Sequence, residues 1–450
     1  MLSPYGLTCE YLINPVGLDV QKPRLSWKSR AAGRGARQTA YQIVVADAPF
    51  NREGRILWDT GKVSSDASVH IPYEGEPLQP GQRCYWRVRV WDEEGTASDW
   101  SETAFWEMGL LGEANWRAEW ITPDWDEDTS RPQPGPLLRR SFEVRGEVAW
   151  ARLYATSLGL YELRLNGRRV GDAYFTPGWT SYDHRVLYQT YDVGALLRQG
   201  ENALGALLGD GWYRGYLTWA WKRNLYGDRL ALRAQLHIAY ADGRVEVIGT
   251  DSSWRAAQGP VEMSDIYLGE VYDARKEPLG WDAPGFDDQG WAGVRVMRDV
   301  KVRLQGYPGP LVKKHERLKP VSLARSPKGE WILDFGQNLV GWVQVRAKGP
   351  AGSIVALRHA EVLDKEGNLY TANLRRATQR DQYVLRGTGE EEVLEPHFTF
   401  HGFRYVAVDV YPGEPQADAF TAVVLHSEVP ETGEFSCSDQ IGRASCRERV

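Results

Sequence analysis

Acidic and aromatic side chains meet in one stretch, Leu158 to Val193, LGLYELRLNGRRVGDAYFTPGWTSYDHRVLYQTYDV. Its loop Pro177-Gly178-Trp179-Thr180-Ser181-Tyr182-Asp183 sets two rings beside a carboxylate. An aromatic face packs on the apolar C–H side of a sugar, and a carboxylate accepts hydrogen bonds from hydroxyls. The competing reading is that the rings are core, where Trp and Tyr are common. A second glycine-rich aromatic loop, Asp210-Gly211-Trp212-Tyr213-Arg214-Gly215, and an acidic aromatic segment, Asp265 to Arg275, lie downstream. No phosphate-cradling loop, dinucleotide fingerprint or Gly-x-Ser-x-Gly elbow is present. His359, His397, His401 and His426 lack metal-ligand spacing. His397 and His401 fall in a β pattern, where residues four apart sit ~13 Å from each other. A structural or inter-domain role is expected for them.

Strands must position these groups. Asn166-Gly167 between alternating runs is a strong two-residue hairpin signal. Upstream, Cys84 to Asp92 alternates cleanly, with Trp86, Val88 and Val90 on one face and Tyr85, Arg87, Arg89 and Trp91 on the other. Short strands at this spacing over residues 1–120 suggest an immunoglobulin-like or fibronectin type III-like sandwich. Residues 121–137 are acidic and rich in Pro and Gly, the composition of an exposed linker. A β pattern resumes over 138–305, and a third β unit covers 306–428. Sustained helical periodicity is absent, so the fold class is all-β, with several sandwiches in series. The pairs Arg139-Arg140 and Lys313-Lys314 are expected to be solvated surface.

Composition narrows the function classes. The 450 residues exceed one ordinary core. A net charge of −6 without a basic stripe argues against nucleic acid as a partner. No apolar run reaches the length of a membrane span. The N-terminus lacks a signal-peptide pattern, and the four cysteines form no CxxC pair, so a cytoplasmic location without a disulfide framework is expected.

Several motifs then follow one another in fixed order: LNGRRVGD, PGWTSYDHRVLYQTYDV, GDGWYRG, SDIYLGEVYDAR, DFGQN, RHAEVLDKEGNLYTANLRRA, PHFTFHGFRYV and TGEFSCSD. In this order they resemble bacterial α-L-rhamnosidases, up to about Asp439. The resemblance implies an enzyme that removes terminal α-L-rhamnose from glycosides with inversion, so its partner is a rhamnose-containing glycoside. It implies a fibronectin-like domain, a jelly-roll rhamnose-binding-like domain and a concanavalin-like sandwich. In that family the chemistry sits in a following (α/α)6 barrel. Residues 429–450 resemble the lead-in to that barrel but depart from it after Asp439, so the chain is expected to be truncated and inactive alone.

Inverting hydrolysis needs an acid and a base with carboxyl groups about 6.5–9.5 Å apart. The resemblance puts both in the barrel, so no catalytic residue is assigned here. Glu270 and Glu361 are the carboxylates to check if that inference fails; their ordinary role would be to hold a turn or an ion pair. Related modules hold rhamnose partly through calcium. By that resemblance Asp183 and Asn224 would supply oxygen ligands, Trp212 would stack on the sugar and Trp179 would wall the pocket. His184 stands where an amide is expected, and imidazole is a poor calcium ligand. A non-catalytic carbohydrate-binding protein is the alternative reading.

Overall fold

The computed structural model describes residues 2–307, 309–431, 433, 437 and 438. The lead-in Thr432 to Asp439 is therefore only partly described, and the aberrant tail lies outside the described residues. Among the described residues the fold is all-β: the one α-helix is the four-residue Gly211–Arg214. No helix among them is long and apolar enough to cross a membrane.

The first unit is two facing sheets. Leu2–Cys9, Arg24–Ala31 and Ile71–Pro72 form one; Val16–Leu18, Ala104–Met108, Arg83–Trp91, Ala40–Ala46 and Ile56–Asp59 line up in the other. The alternation holds as far as Val90: Trp86, Val88 and Val90 are fully buried, while Tyr85, Arg87 and Arg89 are partly exposed. Trp91 breaks it, buried under Lys62 and Arg89 instead of sharing their exposure. Cys9 and Cys84 are buried free thiols, both pushed well above their ordinary pKa by burial.

The second unit packs a larger sheet, centred on Val148–Leu158 between Ala231–Tyr240 and Arg185–Asp192, on a five-stranded sheet centred on Gly200–Gly209. Leu153, Ala155, Leu163, Leu165, Leu232 and Leu236 fill the space between them. The Asn166-Gly167 turn forms as read, with positive φ at both residues. Asn166 also secures the turn from outside, since Nδ2 donates to Leu196 O at 2.9 Å and to Asn202 Oδ1 at 2.7 Å.

Two features differ from the sequence reading. The 121–137 stretch is not a free tether. Ile121–Pro123 is a strand of the larger sheet, Trp125 packs on the core, and Glu127 binds buried Arg214 at 2.5 Å. Arg139 is not solvated surface either: it is 1% exposed, pairs with Asp288 and donates to Trp281 O at 2.8 Å. A charge this deep is tolerated because it is paired and hydrogen-bonded.

The third unit is a ten-stranded sheet built on the long Trp331–Ala347 strand. It recruits Val261–Asp265 and Gly269–Asp273, which precede residue 305 in the chain. Gly269–Asp273 runs parallel to Arg380–Val384, joining Val271 to Gln382 and Asp273 to Val384. The second and third units are thereby stitched through shared sheet hydrogen bonds.

Candidate functional site

A cavity of about 560 Å3 opens on the second unit. Its wall includes Tyr182, Asp183, Tyr213, Tyr226, Arg229 and Arg295. The turn after Trp179 sets up this wall. Ser181 O accepts from His184 N at 2.9 Å and Arg185 N at 3.0 Å, and Thr180 Oγ1 donates to Arg185 O at 2.7 Å. Asp183 stands at the tip of that turn, exposed.

The two aromatics of this loop divide between the sugar and core readings. Tyr182 is core: it is 2% exposed, its hydroxyl donates to Gly178 O at 3.0 Å, and its ring meets Tyr213 and Tyr226 at about 5 Å. Burial pushes its phenol well above the usual range and that of Tyr213 up to about 12, so both stay neutral. Trp179 is 54% exposed. It lies parallel to Trp212, 5.8 Å between centroids, with Nε1 donating to Tyr226 OH at 3.4 Å. Trp212 is half-buried between Trp179 and Phe175.

Asp183 lines the cavity; Asn224 does not. Asn224 Nδ2 donates to Thr129 O at 2.9 Å, and its Oδ1 is buried without a hydrogen-bond partner. The loop carrying Asn224 is fixed by Asp210, whose carboxylate accepts from Arg214 Nε at 2.7 Å and Arg223 Nη2 at 2.9 Å. Arg229 reaches the cavity from beside Asp126, and Arg295 is held by Asp124 at 2.8 Å. Asp299 is a second carboxylate on the wall, exposed like Asp183.

A very different cluster joins the second and third units. Glu270 is fully buried and accepts from His397 N (2.9 Å) and Phe398 N (2.8 Å). Burial raises its carboxyl to about 7, against the opposing pull of His397 and the backbone donors. Glu162, from the second unit, faces His397 Nδ1 at 3.4 Å. Burial pushes the Glu162 carboxyl up, but His397, Arg169 and Arg164 outweigh it and hold it far below the usual range. His397 therefore has the inter-domain role expected of it.

Behind this lie His359, Asp381 and His401, all buried, with ligand atoms within 4.8 Å of one another. His401 Nε2 is 3.0 Å from both Asp381 oxygens, and His359 Nδ1 is 2.9 Å from Gln379 O. Spacing could not reveal this group, because its members come from three neighbouring strands. The two imidazoles stack at 4.2 Å with 26° between planes, and both present Nε2 to Asp381, His359 at 3.9 Å and His401 at 3.0 Å. His359 Nε2 and His401 Nδ1 are buried without a hydrogen-bond partner among the described residues, so the cluster is only partly hydrogen-bonded. Glu361, by contrast, is exposed and accepts from Asn338 Nδ2 at 3.1 Å, as a turn-holding carboxylate would.

Comparison with known proteins gives three family matches in order. Residues 4–112 match the Rha78A-like, N-terminal immunoglobulin domain. Residues 146–316 match the alpha-L-rhamnosidase N-terminal domain, and 324–426 the bacterial alpha-L-rhamnosidase concanavalin-like domain. An alpha-L-rhamnosidase of Streptomyces avermitilis is 35% identical over 95% of this chain and 57% of its own length. One of Alteromonas sp. is 37% identical over 93% of this chain and 47% of its own. The chain thus spans about half the length of the curated relatives it matches. The crystal structure of the Streptomyces avermitilis enzyme complexed with L-rhamnose superposes with a TM-score of 0.93 at 34% identity, covering 98% of this chain and 59% of that one. An Aspergillus terreus structure gives 0.91 at 38%, covering 98% and 50%.

Proposed function

Because the chain belongs to the α-L-rhamnosidase family, matching its N-terminal and concanavalin-like domains, we propose that it is the substrate-holding β part of an enzyme that hydrolyses terminal α-L-rhamnose from glycosides with inversion. The observation that carries this reading is the cavity of about 560 Å3 walled by tyrosines, arginines and Asp183. Its size suits one or two sugar rings, and its mixed polar and aromatic wall suits their hydroxyl and C–H faces. Asp183 would accept from sugar hydroxyls and Arg229 would donate to them; Trp179 and Trp212 lie outside this wall, and Trp179 donates to the wall residue Tyr226.

Cleavage has no support from this wall. The family resemblance puts acid and base in a helical barrel, and the wall's carboxylates, Asp183 and Asp299, are exposed side chains suited to holding hydroxyls. Glu270 is raised, but it is sealed between units with its oxygens engaged by backbone amides. Residues 1–450 alone should therefore release no nitrophenol from an aryl α-L-rhamnoside; turnover above a heat-killed control would overturn this. Asp183 lines the cavity and Asn224 does not, so a calcium ion held by both is a separate, finer part of this reading that the titration tests.

Calorimetric titration with L-rhamnose, with and without calcium, tests the binding reading. Saturable binding weakened by Tyr226→Ala supports it; no heat in either condition sinks it. The second reading, a non-catalytic rhamnose-binding protein, is favoured by the exposed carboxylates of the same wall. An open reading frame for a helical barrel after Asp439 in the source DNA would decide against it.

A further inference from the structure

Away from the cavity, three loops meet around the exposed indole of Trp219 and its neighbour Trp221. Trp219 is 83% exposed at the tip of a turn closed by reciprocal backbone bonds between Leu217 and Lys222, 2.8 and 2.9 Å. Thr218 and Trp221 flank it at φ 67° and 55°. A left-handed conformation is costly for a β-branched residue and persists where surrounding structure enforces it, often at binding loops. From the third unit, the Arg375 guanidinium lies 4.1 Å from the Trp219 ring centroid, and Arg375 itself has φ 59°. The third loop is the Asp265–Leu268 turn. Tyr267 meets Trp221 at 5.9 Å, and Trp221 stacks on Tyr216 at 5.2 Å. Gln379 N and Arg380 N donate to Tyr267 O and Leu268 O, and Thr378 Oγ1 donates to Leu268 O at 2.7 Å. The loop bearing Arg375 is thus anchored to the turn bearing Tyr267.

Charge gives this ledge its second property. Lys222, Arg375 and Arg376 are exposed, and none joins a carboxylate among the described residues. In a chain of net charge −6, Arg375 on the exposed ring, Arg376 next to it in sequence and Lys222 at the closing end of the Trp219 turn make up a local anion-attracting surface. With Arg375 on one face, the indole keeps its other face free for stacking.

We infer that Trp219, Arg375, Arg376 and Lys222 form a saccharide-binding ledge, distinct from the cavity, for an anionic sugar unit carrying a carboxylate or a sulfate ester. The indole face packs on the C–H side of the ring, and the cations take the acidic group. Nucleic acid would also stack and pair, but it needs a long cationic track that this chain lacks. The choice of a sugar rests on the rhamnosidase reading above. The ledge then binds an acidic residue neighbouring rhamnose in a polymer or branched glycoside.

The test titrates the whole chain with an oligogalacturonide, a sulfated oligosaccharide and a neutral oligosaccharide of similar length, at low and high salt. Binding of the uronate, the sulfate or both, weakened by salt and exceeding that of the neutral sugar, supports the ledge and identifies the acidic group. Trp219→Ala and the pair Arg375→Ala/Arg376→Ala should each weaken it at least about tenfold, and the arginine pair should also reduce the salt dependence. These side chains are exposed, so the variants should fold, which circular dichroism checks. No preference for anionic sugars, or unchanged affinity in both variants, overturns the proposal. L-rhamnose binding at the cavity, with its loss in Tyr226→Ala, is measured on the same samples, so failure of the ledge is distinguishable from failure of the cavity.

Discussion

The cavity and the seam between the second and third units draw on the same residue types and use them in opposite ways. At the cavity, Asp183 and Asp299 are exposed, and Trp179, which meets the wall residue Tyr226 from outside the lining, shows half its surface. At the seam, Glu270, Asp381, His359 and His401 are within 1% of complete burial, and Glu270 spends its oxygens on backbone amides. Exposed polar ends are available to a ligand at little desolvation cost. Buried and engaged ones are structural, and removing a partner leaves a charge stranded. A perturbed carboxyl such as Glu270 would ordinarily attract a catalytic assignment; here its perturbation comes from joining two domains.

The contrast is most sharply tested at the seam. Glu270→Ala should lower stability by about 3 kcal/mol in denaturant unfolding, because the His397 and Phe398 amides lose their buried acceptor. A loss under about 0.5 kcal/mol, the range of ordinary surface substitutions, would break the comparison.

Next comes pH. The folded Glu270 carboxyl sits at about 7, above its unfolded value of 4.5, so between those values the native state holds the extra proton. Stability from this group therefore falls as pH rises from 4.5 through about 7. His397, raised by Glu162 against its burial, contributes in the same direction, since its stabilisation is complete below 6.5 and is lost as pH rises through its folded value. Glu162 acts oppositely: its stabilisation is complete above 4.5 and is lost progressively as pH falls below that value. The unfolding midpoint should drop across neutrality, and Glu270→Gln should flatten that drop. An equal slope in the variant would show that Glu270 is not the group responsible.

At the cavity, effects should appear in binding rather than stability. Tyr226→Ala should weaken L-rhamnose by about tenfold. The smallest effect is expected at Glu361→Gln. Its exposed contact with Asn338 should leave unfolding within about 0.5 kcal/mol of the parent, and a larger loss would mean that exposure is a poor guide to role in this molecule.

Much of this was legible in the sequence. Period-two burial as far as Val90 and the Asn-Gly turn are local signals, and local hydrogen bonding settles them; Trp91, expected on the exposed face, is buried by neighbours the alternation does not see. Asp183 at an exposed turn was legible for the same reason. The fate of the neighbouring rings was not: Trp179 and Tyr182 are three residues apart, and only long-range packing against Tyr213 and Tyr226 sends Tyr182 inward. The His359, Asp381 and His401 cluster was equally invisible, because it depends on the register of three strands. Arg139 looked like surface because its partner Asp288 lies far along the chain.

The strand pair Val261–Asp265 and Gly269–Asp273 has a practical meaning for anyone dividing this molecule. A cut near residue 305 would follow the chain but not the hydrogen bonds, leaving the third sheet without two of its own strands and exposing the edge of Arg380–Val384. Bare edges invite pairing with other chains. The smallest transplantable piece that keeps its edges covered therefore runs from the second unit through the end of the third, and a protease nicking the connection between them should leave two fragments that still travel together.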